Sequence, residues 1–311
     1  MTFYPVVIPT LNRYEHFKNC VESLAKNTLA GETELIIALD YPPSEKYCEG
    51  WEKIKEYIPT ITGFKNVVCL ERSENFGSGK NSFDLEEYVL SKYDAYIYSE
   101  DDNIFSPYFL QFMNDGLEKY RDDDSVFAVC GYSYPIDWKT DKDCILQHQY
   151  FSAWGFGIWK DREEKFSKEL TPEFLYSFYK KNRMAIKTVN AVQLMPAVLH
   201  DEIPKSDVTR SLYISAMKKS VLMPKKTLVK NNGFDGTGEH CLTVQKEIFD
   251  AQKLFLENVD VKNPAVIENS AELEEFQISI FTDFKKRQFI SRCIKFFGIR
   301  LAKKIRGFVR K

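Results

Sequence analysis

Three acids in a row, Glu100-Asp101-Asp102, directly follow the apolar run Asp94-Ala-Tyr-Ile-Tyr-Ser99. Adjacent carboxylates repel one another unless a cation neutralises them. A Mg²⁺ or Mn²⁺ held by one or two carboxylates keeps open positions for phosphate oxygens. The bland alternative is a solvated acidic turn, the reading that suits Asp122-Asp-Asp124, which follows a helical pattern instead of a strand. A second stretch, Asn75-Phe-Gly-Ser-Gly-Lys-Asn81, links a strand pattern to a helix pattern. Its glycines let backbone approach a ligand, the helix N-terminus beyond favours anions, and Lys80 adds a positive charge. It is not a Walker loop, because Glu74 stands where the first glycine belongs and Asn81 replaces Ser or Thr. It also lacks the third glycine of a dinucleotide fingerprint, so an ordinary glycine turn fits as well.

Single residues add to this set. Asp40 ends an apolar run and could meet a ribose or a base, or form an Asx turn before Tyr41-Pro42. His240 closes the Asn- and Gly-rich stretch from Asn231; a neutral imidazole ligates divalent transition ions, and a lone one is also commonly structural or solvated. Asp207, in Pro204-Lys-Ser-Asp-Val208, stands at a helix start, where a carboxylate also suits the helix dipole. Trp154 and Trp159, in Ser152-Ala-Trp-Gly-Phe-Gly-Ile-Trp159, could be core, or a platform stacking on the apolar face of a pyranose ring.

The elements that carry these residues alternate. Tyr4–Pro9, Glu34–Asp40, Asn66–Glu71, Asp94–Ser99 and Val126–Gly131 read as strands, the second near-continuously apolar, as a strand covered on both faces is. Asn12–Asn27, Ser44–Tyr57, Asn81–Tyr93 and Pro107–Arg121 read as helices. In the first, Phe17, Cys20, Val21 and Leu24 form one stripe; Ser44 is the expected cap of the second. Repeated β-α-β units predict an α/β fold with a doubly wound, mostly parallel sheet and helices on both faces. Ligands of such sheets sit at the carboxyl ends of the strands, where Asp40 and Glu100–Asp102 fall. Beyond Tyr132 the pattern loosens, with helical stretches near 172–181, 185–199 and 206–219, then an acidic stretch over 257–283 that reads as a linker or peripheral segment.

The chain has 311 residues with 44% hydrophobic and 28% charged residues, which is a globular balance and excludes a disordered chain. No apolar run approaches the ~18 residues a spanning helix needs. The N-terminus has no basic stretch before its first strand, so a secretory signal is not expected. Seven scattered cysteines without a Cys-x-x-Cys suit reduced thiols in a cytosol and argue against a zinc ribbon. From Phe284 to Lys311 there are eleven Lys or Arg and no acid, leaving 32 basic and 45 acidic residues, a net of −13, in the first 283. An acidic body with a basic tail excludes a nucleic-acid-binding domain and suggests tethering to something anionic. Read as a helix, the tail gathers Ile290, Ile294, Phe297, Leu301, Ile305 and Phe308 on one face and Arg292, Lys295, Lys303, Arg306 and Arg310 on the other. That is the pattern of an amphipathic helix in an anionic membrane interface.

Taken together, Val7-Ile-Pro-Thr-Leu-Asn-Arg13, Asp40, the Asn75–Asn81 stretch and Glu100-Asp-Asp102 occur in the order seen in nucleotide-sugar glycosyltransferases of the GT-A fold. The opening Pro-Thr-x-Asn-Arg resembles family 2 of these enzymes, and Glu-Asp-Asp is similar to the metal motif of N-acetylglucosaminyltransferases. Ser152–Arg162 and Leu228–His240 resemble the Trp-Gly and Asn-x-Gly-x-Asp-Gly segments of bacterial surface-polysaccharide transferases.

The resemblance implies a transferase domain over 1–256, its nucleotide-binding half 1–135 and its acceptor half 136–256, followed by 257–283 and the tail 284–311. It implies that Asp102 binds Mn²⁺ or Mg²⁺, with His240 completing the metal shell or closing over the donor. Glu100 and Asp101 would meet the ribose or orient the metal, Asp40 would face the base, and Lys80 would lie near the nucleotide. Thr10, Asn12, Arg13, Asn75, Gly77, Trp154 and Gly155 fall within the matching donor-site segments, and Asp207 sits where inverting members keep the base that deprotonates the acceptor hydroxyl. Lys80 replaces an Arg of many relatives, and Ser206-Asp207 replaces Trp-Asp. The expected partners are a nucleotide sugar and a glycan or lipid-linked acceptor, with the enzyme peripheral at the inner face of the cytoplasmic membrane. A sugar nucleotidyltransferase would open with a Gly-rich basic loop where Pro9-Thr-Leu-Asn-Arg13 stands. A non-catalytic nucleotide-sugar-binding subunit would tolerate loss of Asp102 and Asp207, and both are present.

Overall fold

The computed structural model describes residues 3–182, 187–194, 205–237, 246–281 and 284–309. The first half builds the expected β-α-β units from β1 (Val6–Thr10), α1 (Tyr14–Ala25), β2 (Glu34–Leu39), α2 (Cys48–Tyr57), β3 (Asn66–Glu71), α3 (Gly77–Leu90) and β4 (Ala95–Tyr98). β2 pairs in parallel with β1 and β3, and β1 also with β4. Successive residues of a strand point to opposite faces. Val6 and Ile8 therefore pack with Phe17, Val21 and Leu24 of α1, whereas Val7 packs with Leu85 and Val89 of α3. At β1 and β2 both faces of the sheet are covered, which is why these two strands read as near-unbroken apolar runs, whereas β3 at the edge has no buried residue.

Two boundaries differ from expectation. Ser44 makes no side-chain cap; a 3-10 turn over Glu45–Tyr47 enters α2 instead. α3 starts at Gly77 rather than Asn81, so Gly-Ser-Gly-Lys forms its first turn. Gly77 enters the helix at φ 75°, a backbone conformation that disfavours side chains with a Cβ.

The second half continues the sheet with reversals. A short β5 (Asn103–Phe105) leads into α4 (Phe109–Lys119) and β6 (Val126–Cys130); β7 (Cys144–Gln147) and β8 (Phe156–Trp159) follow. β8 is inserted antiparallel between β4 and β6, with Trp159 opposite Ala95. Helices α5 (Lys160–Glu169), α6 (Pro172–Lys181), α7 (Val189–Leu194) and α8 (Asp207–Met217) come next, then β9 (Ser220–Pro224) and β10 (Val229–Asn231). β9 pairs parallel to β6 and antiparallel to β7, while β10 and β5 form a separate two-stranded antiparallel ribbon. After α9 (Lys246–Asp250), β11 (Ala265–Ile267) joins the sheet edge beside β7. The nine-stranded order is β11-β7-β9-β6-β8-β4-β1-β2-β3, a doubly wound, mostly parallel α/β architecture.

The described part of the acidic stretch, residues 257–281, packs on the body at the sheet edge. It supplies β11 and α10 (Ala271–Ile280), whose Leu273 is fully buried and whose Glu274 accepts hydrogen bonds from the Tyr150 hydroxyl at 2.5 Å and the Val189 amide at 2.7 Å. The basic tail forms α11 (Phe284–Val309), interrupted at Gly298, where φ is 77° and ψ 164°. Its expected single apolar face is divided. Ile294 is buried and Ile290 packs beside it against Leu175, Tyr179 and Leu212, whereas Phe289, Phe296, Phe297 and Leu301 are exposed. Among the described residues no helix is long and apolar enough to cross a membrane.

Candidate active site

The carboxyl ends of β1, β2 and β4 open into a cleft of about 1140 Å³. β4 ends one residue before Ser99, so the chain turns at the sheet edge and leaves Glu100, Asp101 and Asp102 at the cleft floor. β1 ends at Thr10 beside them, because β1 and β4 are neighbours. The Thr10 hydroxyl donates to Asp101 Oδ2 at 2.9 Å. Arg13 lies across both acids, ion-paired with Asp101 Oδ1 and 2.8 Å from Asp102 Oδ2. Burial alone would lower the Arg13 pKa, but the two carboxylates outweigh it and hold the guanidinium above its usual value. Burial, then the charges of Asp102, Asp207 and Asp101, push the Glu100 carboxyl up to about 8. One arginine thus faces a group of carboxylates that its charge does not balance.

Asp102 is held from the other side of the cleft as well. Asn231 at the end of β10 donates to Asp102 Oδ1 at 2.7 Å, and the Asn232 amide donates to the Asp102 carbonyl at 2.8 Å. Gly233 follows, and a Cβ there would fall 2.2 Å from Asp102 Oδ2, so only glycine leaves that carboxylate room. These contacts come from the β5–β10 ribbon, which registers Asn231 opposite Asn103.

Asp40 lines the cleft, and its carboxylate also organises the neighbouring backbone. Its carboxylate accepts the amides of Tyr41 at 2.9 Å, Phe76 at 2.8 Å and Gly77 at 2.9 Å, and the Asn75 side chain at 3.3 Å. It therefore anchors the loop that enters α3 and fixes where Asn75 and Gly77 line the cleft.

Across the cleft stands the N-terminus of α8. Ser206 caps it, accepting from the Thr209 amide while Thr209 Oγ1 accepts from the Ser206 amide at 2.8 Å. Asp207, the first residue of the helix, is exposed to the cleft, and its Oδ1 accepts the Val208 amide at 2.8 Å. Trp154 lines the same space, edge-on to Tyr132, Phe234 and Phe249.

Thr10, Asn12, Arg13, Asp40, Asn75, Gly77, Glu100, Asp101, Asp102, Trp154 and Asp207 all line this one cleft. Two expected residues do not. Lys80, in the first turn of α3, is exposed with its ammonium 3.7 Å from the Phe76 ring centroid. Gly155 lies beneath the cleft at φ 71°, packed on the Phe109 ring, where it serves the turn into β8. Trp159 is core, its indole N–H donating to the Leu117 carbonyl at 3.1 Å. His240 lies outside the described residues. Sequence reasoning missed the role of Asn231, although it lies within the Leu228–His240 segment, and missed Phe276, Gln277 and Ile280 of α10, which close the far wall.

The carboxylates suit a hard divalent ion, which prefers oxygen ligands. Among the described residues no three His, Cys, Asp or Glu side chains converge as a ready-made ligand set.

The family model for glycosyl transferase family 2 matches residues 6–188, and the chain belongs to that family. None of the curated proteins compared matches it. Among solved structures it is similar to TarS 1–349 of S. aureus, at 11% identity and a TM-score of 0.44, over 73% of this chain and 59% of that one. It is also similar to the mannosyltransferase PcManGT from Pyrobaculum calidifontis, solved in complex with GDP-Man and Mn²⁺, at 12% identity and a TM-score of 0.41, over 69% of each chain. The chain thus spans less than two thirds of the TarS chain it matches.

Proposed function

We propose that the protein is a metal-dependent glycosyltransferase. It moves a hexosyl or N-acetylhexosaminyl unit from a nucleotide-diphosphate donor, with UDP as the nucleotide, to a hydroxyl of a glycan or lipid-linked glycan. The observation that carries this reading is one cleft with Asp102 and Arg13 on its floor and Asp207 exposed on its wall.

Asp102 would hold the Mn²⁺ or Mg²⁺, which when bound acts as a Lewis acid toward the departing diphosphate. Arg13 holds Asp101 and Asp102 in place and adds positive charge beside the phosphates. Asp40 keeps Asn75 and Gly77 at the nucleotide end. Asp207 takes the proton of the acceptor hydroxyl as that oxygen attacks the anomeric carbon. An alcohol has a high pKa, so the proton must leave as the bond forms. A single displacement inverts the anomeric centre. In Asp207→Asn, turnover falls by about 10²–10⁴-fold while the donor still binds; collapse of donor affinity with intact turnover would refute the base role.

On the same reading the enzyme works at the inner face of a bacterial cytoplasmic membrane. Phe289, Phe296 and Phe297 are 68%, 85% and 52% exposed on a segment that carries eleven basic residues and no acid. Exposed aromatics beside Lys and Arg suit an anionic lipid surface, where each basic residue contributes about 1 kcal/mol. The buried face of the same helix fastens it to the body.

A further inference from the structure

Beside Asp207, with Glu86, Lys205 and Arg210 lining the same cleft, lies a cluster of four ionisable side chains that the chemistry above does not use. Arg210, one turn along α8, is 4% exposed and reaches both oxygens of Glu163 on α5 at 3.1 Å and Glu86 on α3 at 3.5 Å. Glu163 and Glu86 are 2% and 7% exposed. One guanidinium cannot balance two buried carboxylates, and an unpaired buried charge is strongly destabilising. The balancing charge is Lys205, whose ammonium lies 3.1 Å from Glu163 and 3.9 Å from Glu86, with the Phe83 ring 4.8 Å away. Burial holds the Glu86 carboxyl above its usual value, whereas at Glu163 burial is outweighed by Arg210 and Lys205, which hold that carboxyl below it.

We propose that Lys205 is a positioning residue: the charge left over by Glu86, Glu163 and Arg210 draws its side chain inward and so fixes the start of α8, two residues before Asp207. The geometry gives this pull a direction. Lys205 and Arg210 bracket Asp207 in sequence, and both reach the same two glutamates, so the first turn of α8 is held at two points. Between them the capped Ser206 turns the chain and leaves Asp207 facing the cleft. Glu86 belongs to α3, whose Gly77 amide is bonded to Asp40. The cluster therefore ties the helix that follows the nucleotide-side loop to the helix that carries the base, and sets the separation between donor and base.

This inference rests on Asp207 being the general base, and the test separates the two. Nucleoside diphosphate release is measured with the intact chain, UDP-sugars and Mn²⁺ for Lys205→Met, Lys205→Arg, Asp207→Asn and the double variant Lys205→Met/Asp207→Asn. Misplacing a reacting group by about 1 Å can reduce rate by about 10²-fold, so Lys205→Met lowers kcat on that scale with donor KM unchanged. Lys205→Arg, which keeps the charge, recovers most of the turnover. In the Asp207→Asn background Lys205→Met adds no further loss, because the group it positions is gone. A wild-type kcat in Lys205→Met beside an impaired Asp207→Asn overturns the positioning role alone. So does a raised donor KM at unchanged kcat, which would make Lys205 a substrate contact, and so does a full additional loss in the double variant. Wild-type turnover in Asp207→Asn instead refutes the base reading itself.

Discussion

Asn231 Nδ2 donates to Asp102 Oδ1 at 2.7 Å across 129 residues of sequence, joining the last strand of the small ribbon to the acid at the centre of the cleft. This bond leaves Asp102 Oδ2 to Arg13 and fixes the carboxylate plane before any ligand enters.

Asn231→Ala therefore loosens a buried carboxylate without removing it. Loss of a partner that orients a metal ligand typically costs about 10–100-fold in metal affinity or activity. The expected result is a Mn²⁺ requirement shifted to higher concentration by that factor, read by titrating Mn²⁺ against UDP release. An unchanged Mn²⁺ midpoint would mean that Asp102 is not the ligand or does not need orienting.

Asp40→Ala leaves the amides of Tyr41, Phe76 and Gly77 without their acceptor. The bonds are part-buried at the cleft edge, so the desolvation penalty of each stranded donor stays below the full buried value of about 1–3 kcal/mol. The loop entering α3 should loosen, with a lower melting temperature and weaker binding of the free nucleoside diphosphate in calorimetry. A variant with lower stability but unchanged nucleotide affinity would place the nucleotide elsewhere.

Much of this was readable in the order of residues, for a physical reason. The strands around β1 are covered on both faces, so their apolar runs are unbroken, and the acids that follow them must lie at the ligand-binding edge. The second half was harder because its partners are remote. β8 runs antiparallel between β4 and β6, and β11 pairs with β7 more than a hundred residues away, and neither leaves a local periodicity. The acidic look of 257–283 concealed α10, whose Glu274 is used inside by Tyr150 and Val189. The glycines before Asn81 looked like a loop because helix propensity disfavours them, yet Asp40 captures the Phe76 and Gly77 amides and starts the helix there. Glu86, Glu163, Lys205 and Arg210 sit on separate segments, and only folding shows that their charges balance.

The tail prediction follows from the divided face of α11. Truncation before Phe284 would uncover the Leu175–Tyr179–Leu212 cluster that Ile294 seals, so the informative variant is Phe296→Ser/Phe297→Ser. Its melting temperature and UDP release should match wild type, while co-sedimentation with vesicles containing phosphatidylglycerol is lost. Wild-type binding should weaken as salt rises from 0.01 M to 0.15 M, as the Debye length contracts from about 30 to about 8 Å. Failure of the wild type to bind such vesicles at low salt would contradict membrane docking.

The most direct test of the central claim is UDP release from UDP-glucose and UDP-N-acetylglucosamine, followed for wild type and Asp102→Asn, each with Mn²⁺ and with a chelator. Wild type with Mn²⁺ should release UDP and chelator should abolish it, while Asp102→Asn should stay inactive in both conditions with its melting temperature retained. Wild-type turnover by Asp102→Asn in chelator would contradict a metal-dependent transferase centred on this acid.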